Sequence, residues 1–493
     1  MAMSYPSVRG TANDPGPGGR IVLGTIAALG TAALFYFGTG FAPAAVLTWL
    51  APLPLLFIAP RLSAVMAAIM ALLAYFLGTI NEWGLFFSSH DEPVTVGLAI
   101  SGGGAVLFAL LTLLFRGLVL RGRPVLAVLA APALWTGGLA VAVRYYPHGL
   151  TGTLASTQTT LPMLLQTASV TGFLGIEFLV LFVPCVLAAL LAPGEVRGAA
   201  RGRTLVLTVV LAALVLGGGA LRLALAQPGG PAVNVALIST TNTTSAPDLA
   251  TPAGSALLNG YANAVSAVPA GTELVVLPDR SFTVNRTSLG TLVGKLGPVA
   301  SDRDLTVVVG VAETSGSATT SFALRIQPDG KAVNPQLAGA KLGVENGTDV
   351  DFTNPSRSEA TGGARVLAIP AADEGQDGLQ HARTAQLRGV ENGVGVAWSG
   401  RNGTVLVADG FGHVLASADT AHATGQFVVV HAAIPPNPGT TLYNRFGDWF
   451  GWFSLGLALL GVIFAFVPSF KRGTGDGGSG ADQSPSDLVG SGT

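Results

Sequence analysis

Long apolar blocks separated by short polar breaks run through the first 227 residues of this chain. The blocks fall at about 21–38, 44–59, 62–87, 94–115, 124–143, 168–192 and 204–226, and one more covers Trp449–Val467. A helix needs roughly 20 apolar residues to cross a bilayer, so the pattern predicts about eight spans. The second block is short and holds Pro52 and Pro54, which leaves its limits the least defined. Arg9 and Arg20, then Arg61, then Arg116, Arg121 and Arg123, then Arg197, Arg201 and Arg203 occupy alternate breaks. The excess of Lys and Arg on cytoplasmic loops places those breaks inside. The breaks Ser88–Glu92 and Arg144–Pro162 then face outward, the chain beyond Gln227 emerges outside, and the last block returns it. Residues 1–20 lack an apolar period and read as a cytoplasmic tail, not a cleavable signal; residues 469–493 read as a second tail.

Between Pro228 and Thr441 the pattern changes to short strand-like runs: Val233–Ile238, Glu273–Leu277, Leu305–Val311, Phe322–Ile326, Val366–Ile369, Val394–Trp398, Thr404–Ala408 and Gln426–His431. Helical periods over Leu257–Val268 and Leu379–Asn392 separate some of them. Strands alternating with helices indicate a layered α/β domain. The predicted organisation is a tail (1–20), a seven-helix membrane domain (21–227), an α/β domain (228–441), a last span (442–468) and a tail (469–493).

Composition agrees with a lipid-solvated chain. Hydrophobic residues make up 49% and charged ones 11%, against roughly 25% charged in soluble domains. The mean hydropathy is +0.56. A net charge of −1 without a basic block gives no sign of nucleic acid as a partner. The lone Cys185 sits inside an apolar block, where a thiol is expected to be inert packing. His413, His422 and His431 are scattered without ligand spacing, so neither metal nor cofactor is expected. The run Ser101–Gly104 lies in a predicted span, not between strand and helix, and reads as close helix packing. Glu82 and Glu177 within apolar blocks are candidates for function, as intramembrane carboxylates are by default.

Several segments resemble the apolipoprotein N-acyltransferase family. They are Gln166–Phe178 before a late span, Leu274–Asp279 at a strand end, Leu387–Gly393 in a helix, Ala408–Leu415 in a hairpin, and Thr441–Trp449 before the last span. The resemblance implies a polytopic α-helical membrane domain plus an extracytoplasmic nitrilase-like αββα sandwich, set in a bacterial plasma membrane. It implies a Glu-Lys-Cys triad that moves an acyl chain from phospholipid to the N-terminal cysteine of a lipoprotein. That chemistry needs a thiolate, a carboxylate base and an ammonium for the oxyanion.

On this chain Asp279 stands at the glutamate position and Gly347 at the cysteine position, in Lys341–Phe352. Thr348 and Ser356 are the neighbouring hydroxyls, with Asp279 the one candidate base for Thr348. The lysine loop is short: Pro328-Asp-Gly330 leads within about a dozen residues to the next strand, and neither Lys331 nor Lys341 suits the role. Losing the nucleophile of a comparable triad costs about 10⁶ in turnover. His381, Arg383, Gln386, Arg388 and Glu391 lie at helical spacings, so Arg388 and Glu391 can pair. The expectation is a non-catalytic relative that binds lipid or lipoprotein, or holds a partner such as a membrane glycosyltransferase. The competing expectation is an N-acyltransferase with rearranged chemistry at Asp279 and Thr348; a transporter is a weaker third.

Overall fold

A computed structural model describes residues 16–83, 94–150, 152–191, 198–225, 231–241, 246–315, 318–333, 342–372 and 377–467. Lys341, Arg197, the Ser88–Glu92 break and most of both tails lie outside them. Seven helices among these residues are long and apolar enough to cross a membrane. They run Pro17–Gly38, Ala64–Gly78 (extended by a 3₁₀ turn to Glu82), Val94–Leu120, Pro124–Tyr145, Phe173–Leu191, Gly198–Ala224 and Trp449–Phe466.

The block expected at 44–59 is not one helix. It is a 3₁₀ turn Ala45–Trp49, a helix Leu53–Ile58 and a second turn Ala59–Arg61. Pro52, Pro54 and Pro60 each lack the amide that a continuous ladder needs. It still traverses the bundle. At one end Gln158 Nε2 donates to Ala45 O at 3.2 Å and Trp49 Nε1 donates to Gln158 Oε1 at 2.8 Å. At the other, Arg116 Nε donates to Ala59 O at 3.1 Å. The block at 168–192 is also divided, into Ala168–Thr171 and Phe173–Leu191, by Gly172 at φ +68°.

The α/β domain has two sheets. The first has strand order β12-β1-β2-β4-β5-β6, with β3 also paired to β4. Its strands are β1 (Val233–Thr240), β2 (Leu274–Val276), β3 (Phe282–Val284), β4 (Thr306–Ser315), β5 (Ala318–Ile326), β6 (Ala332–Val333) and β12 (Phe427–Ile434). The second, β11-β10-β9-β8-β7, holds β7 (Leu342–Val344), β8 (Val366–Ala371), β9 (Gly395–Gly400), β10 (Thr404–Ala408) and β11 (Val414–Asp419). Alternation along the strands builds the layers. In β1, Val235 and Leu237 join Val276, Val308, Ala368, Ala397 and Val407 in the core between the sheets. Ala236 and Ile238 face the other way, into a core with Leu258, Tyr261, Leu292 and Leu296 of helices Pro252–Ser266 and Arg286–Asp302. The outer face of the second sheet packs Leu367, Ile369, Val396 and Trp398 on Ala382 and Ala385 of helix Asp377–Asn392. The result is an αββα sandwich.

Helix Asp377–Asn392 has two buried faces. Ala382 and Ala385 belong to the domain core, whereas Leu387 and Val390 belong to the core of the membrane bundle. Arg388 and Glu391 sit at this seam, 2% and 0% exposed, and pair at 2.7 Å. Glu391 Oε1 also accepts from Phe173 N at 2.7 Å, where the positive end of helix Phe173–Leu191 favours an anion. Arg388 Nε donates to Val350 O at 2.8 Å, and the guanidinium lies 5.3 Å over the Phe173 ring. The clasp is completed from the segment before the last span. Thr441 Oγ1 donates to Glu391 O, Asn444 Nδ2 to Asn392 Oδ1 (3.1 Å), and Tyr443 Oη to Asp448 Oδ1 (2.8 Å).

Breaking a buried pair by neutralising one partner costs about 3–5 kcal/mol. Glu391→Gln therefore destabilises the protein by about that amount in denaturant unfolding from lipid nanodiscs, and Arg388→Met with Glu391→Leu recovers part of the loss. An unchanged unfolding midpoint for Glu391→Gln contradicts this role.

Candidate functional site

Strand β2 ends at Leu277-Pro278, and Asp279 follows in a turn made possible by Arg280 at φ +48°, in the left-handed region. Gly310 of β4 passes directly beneath: a Cβ there would collide with Asp279 Cα. On the facing sheet, β7 ends at Val344, and Gly347 opens the 3₁₀ turn Gly347–Asp351. The two positions converge on one residue. Asp279 N donates to Ala371 O at 3.2 Å. A Cβ built on Gly347 would stand 2.9 Å from Ala371 Cβ, 3.0 Å from Ala371 Cα and 3.5 Å from the Trp398 ring.

The fold thus brings 279 and 347 to the two sides of Ala371, and Ala371 crowds the space a side chain at 347 would need, with the Trp398 ring in ordinary contact beside it. Trp398 is fully buried, lies parallel to His381 at 6.5 Å between centroids, and its Nε1 has no partner among the described residues. His381 Nε2 stands 3.3 Å from Asp351 Oδ2.

Asp279 is 5% exposed, and its carboxylate is engaged. Ser321 Oγ on β5 donates to Oδ1 at 2.6 Å, and Arg280 Nε lies 3.9 Å from Oδ2. Burial raises its pKa, opposed by the Ser321 hydroxyl, the Arg280 amide, and the Arg280 and Arg401 charges. Neither Lys295 nor Lys331 contributes to that environment; Lys331 is an exposed residue 3.3 Å from Asp329. Thr348 is exposed, and no hydrogen bond joins it to Asp279 among the described residues. Ser356 is turned away, donating to Glu345 Oε2 at 2.8 Å. Cys185 lies in the core of the membrane bundle.

Two groups here escaped the sequence reading. Ser321 carries no local signal, because it reaches Asp279 across 42 positions. Glu345, two residues before Gly347, is 3% exposed, with Oε1 unpaired among the described residues. Burial pushes its carboxyl up to about 8, only partly offset by Ser356.

The intramembrane carboxylates have partners. Glu177 accepts from Trp135 Nε1 (2.9 Å) and from Ala155 N (2.7 Å), pinning the loop before helix Phe173–Leu191 to the bundle. Glu82 Oε1 lies 3.4 Å from Gln380 Nε2 of the α/β domain. Both line a cavity of about 540 Å³ between the spans, walled by Tyr75, Trp135 and Leu139. A larger cavity of about 1420 Å³ lies between the first span, the 159–162 loop and hairpin β10–β11. Neither touches Asp279, Gly347 or Thr348.

Glu345 gives a pH signature. Its folded pKa lies above the unfolded value, so the unfolded chain loses this proton first as pH rises. Stability therefore falls from about pH 4.5 to about pH 8 through this group. Glu345→Gln should flatten that part of the stability–pH profile and raise stability at pH 8; an unchanged slope contradicts the assignment.

Comparison with known proteins agrees with this architecture. Residues 31–186 match the family model described as the apolipoprotein N-acyltransferase N-terminal domain. Over 130 residues the chain is 34% identical to an apolipoprotein N-acyltransferase of Gloeobacter violaceus, a match covering 25% of this chain and 24% of that relative. Among solved structures, the amidase from Nesterenkonia sp. aligns at 18% identity with a TM-score of 0.35, covering 42% of this chain and 92% of that one. A mutant of the Nesterenkonia sp. AN1 amidase in complex with butyramide aligns with the same figures. The chain is a multi-pass membrane protein whose residues 31–186 are similar to the apolipoprotein N-acyltransferase N-terminal domain; it spans about a quarter of the length of the curated relative it matches, and a two-sheet α/β domain follows its helical part.

Proposed function

We propose that this protein is a non-catalytic relative of the apolipoprotein N-acyltransferases, keeping the fold as a scaffold that binds lipid or lipoprotein in the bacterial plasma membrane. A membrane-bound partner enzyme, such as a glycosyltransferase, is a second occupant compatible with that role. The observation that carries the reading is the closure at Gly347. The position lacks a nucleophile, and Ala371 crowds the space where one would stand. The remaining carboxylate is a base without a substrate-facing partner, since Ser321 and the arginines already engage it.

The same proposal puts the domain on the extracytoplasmic side, and the arginine distribution supports it. Arg61, Arg116, Arg121, Arg123, Arg201 and Arg203 gather at the ends of the spans away from the α/β domain. Their excess marks the cytoplasmic face.

A second reading rests on one contact, the 2.6 Å hydrogen bond from Ser321 Oγ to Asp279. A serine activated by a carboxylate would be a rearranged nucleophile, favoured over Thr348 by position. It lacks the ammonium that the tetrahedral intermediate requires.

The purified protein, a labelled phospholipid and an apolipoprotein peptide separate the two. The expected outcome is no peptide acylation in wild type, nor in Gly347→Cys, which should also lose about 1–3 kcal/mol of stability to overpacking against Ala371. Acylation by wild type that disappears in Asp279→Ala or Ser321→Ala overturns the proposal.

A further inference from the structure

Arg383 occupies an unusual position on helix Asp377–Asn392. It is half-buried and lines the 1420 Å³ cavity. Among the described residues no carboxylate or other acceptor engages its guanidinium. Burial alone pulls its pKa down, with no anion acting against it. A guanidinium taken partly out of water without a partner carries a desolvation cost. Its neighbours at the same seam are satisfied: Arg388 by Glu391, and Gln386 by Gly412 O at 2.6 Å.

The other charged groups on the cavity wall are matched in pairs. His422 Nδ1 lies 2.7 Å from Asp419 Oδ2, and His413 Nδ1 lies 2.9 Å from Asp409 Oδ2 just behind the wall. Arg383 is therefore the unmatched charge of this cavity among the described residues. The same cavity is also lined from the domain-side end of the first span, where Tyr36, Phe37 and Phe41 supply aromatic surface. A positive anchor and aromatic surface lining one cavity, at the level where spans meet the domain, fit a molecule with an anionic head and an apolar body. The volume exceeds the roughly 300–1,000 Å³ of common small-molecule sites, far more than a bare inorganic anion fills.

We propose that this cavity is a binding site for an anionic amphiphile, whose phosphate or carboxylate headgroup is held by Arg383. The planar fork of arginine suits two parallel bonds to such a group. The site is separate from the Asp279–Gly347 locus. The assignment deepens the lipid-binding part of the proposed function and needs no surviving acyl transfer.

Native mass spectrometry of the full chain, titrated with dodecyl phosphate, tests it, with dodecanol and inorganic phosphate as the other arms. The expected result is saturable retention of one dodecyl phosphate. Arg383→Gln weakens it about tenfold or more, as loss of a charged hydrogen bond should, and Arg383→Lys retains part of it. Inorganic phosphate competes weakly and dodecanol does not bind. Thr160→Trp, at an exposed position on the cavity rim, blocks retention without touching the arginine and serves if Arg383→Gln folds poorly. Equal affinity in wild type and both variants, or dodecanol binding as tightly, overturns the site. Inorganic phosphate binding as tightly as dodecyl phosphate overturns the amphiphile assignment. Acylation in the assay above would instead defeat the non-catalytic reading and leave this site standing.

Discussion

The ion pair between Arg388 and Glu391 is the constraint on which this architecture turns. Two charges removed from water repay their desolvation only when every remaining donor and acceptor is met. Here the membrane bundle supplies part of that satisfaction, through the amide of Phe173 at the start of a span. The domain supplies another part, through Val350 O in the turn that contains Gly347. The pair therefore links the strand-end turn of the α/β domain to the register of the transmembrane helices. Leu387 and Val390 beside it add apolar burial against the bundle. The segments that most resemble the family, Gln166–Phe178 and Thr441–Trp449, are the two that close around this helix.

Docking and chemistry then separate cleanly. The features that seat the domain are intact and mutually satisfied, while the locus between Asp279 and Gly347 is packed. Ala371 O accepts from the amides of both Asp279 and Arg401, so the end of β8 is fixed as well as filled. Trp398 covers the same point from β9. A cysteine at 347 would need Ala371 to move, which interiors at crystal-like packing density resist.

Much of this was legible because hydropathy and helical spacing are local. The spans, the charge asymmetry of their loops, the sandwich and the Arg388–Glu391 spacing could all be read from the sequence. The break of 44–59 was marked by its prolines, yet its three-piece path depends on Gln158 and Arg116, more than fifty residues away in each case. Helix Arg286–Asp302 went unseen because Gly290, Gly294, Gly297 and Pro298 dilute its propensity. It forms through an Asn285–Ser288 capping box and burial of Leu292 and Leu296. The occupants of the candidate site were the least visible part. Ser321, Ala371 and Trp398 are ordinary strand residues, and only the packing of two sheets brings them to positions 279 and 347.

Under the proposed non-catalytic role, no side chain of this protein takes an acyl group. Intact-mass analysis after incubation with a short-chain phospholipid donor addresses it directly. The account predicts an unmodified mass at all times. A stoichiometric acyl adduct that maps to Ser321, Thr348 or any residue of the α/β domain would contradict it.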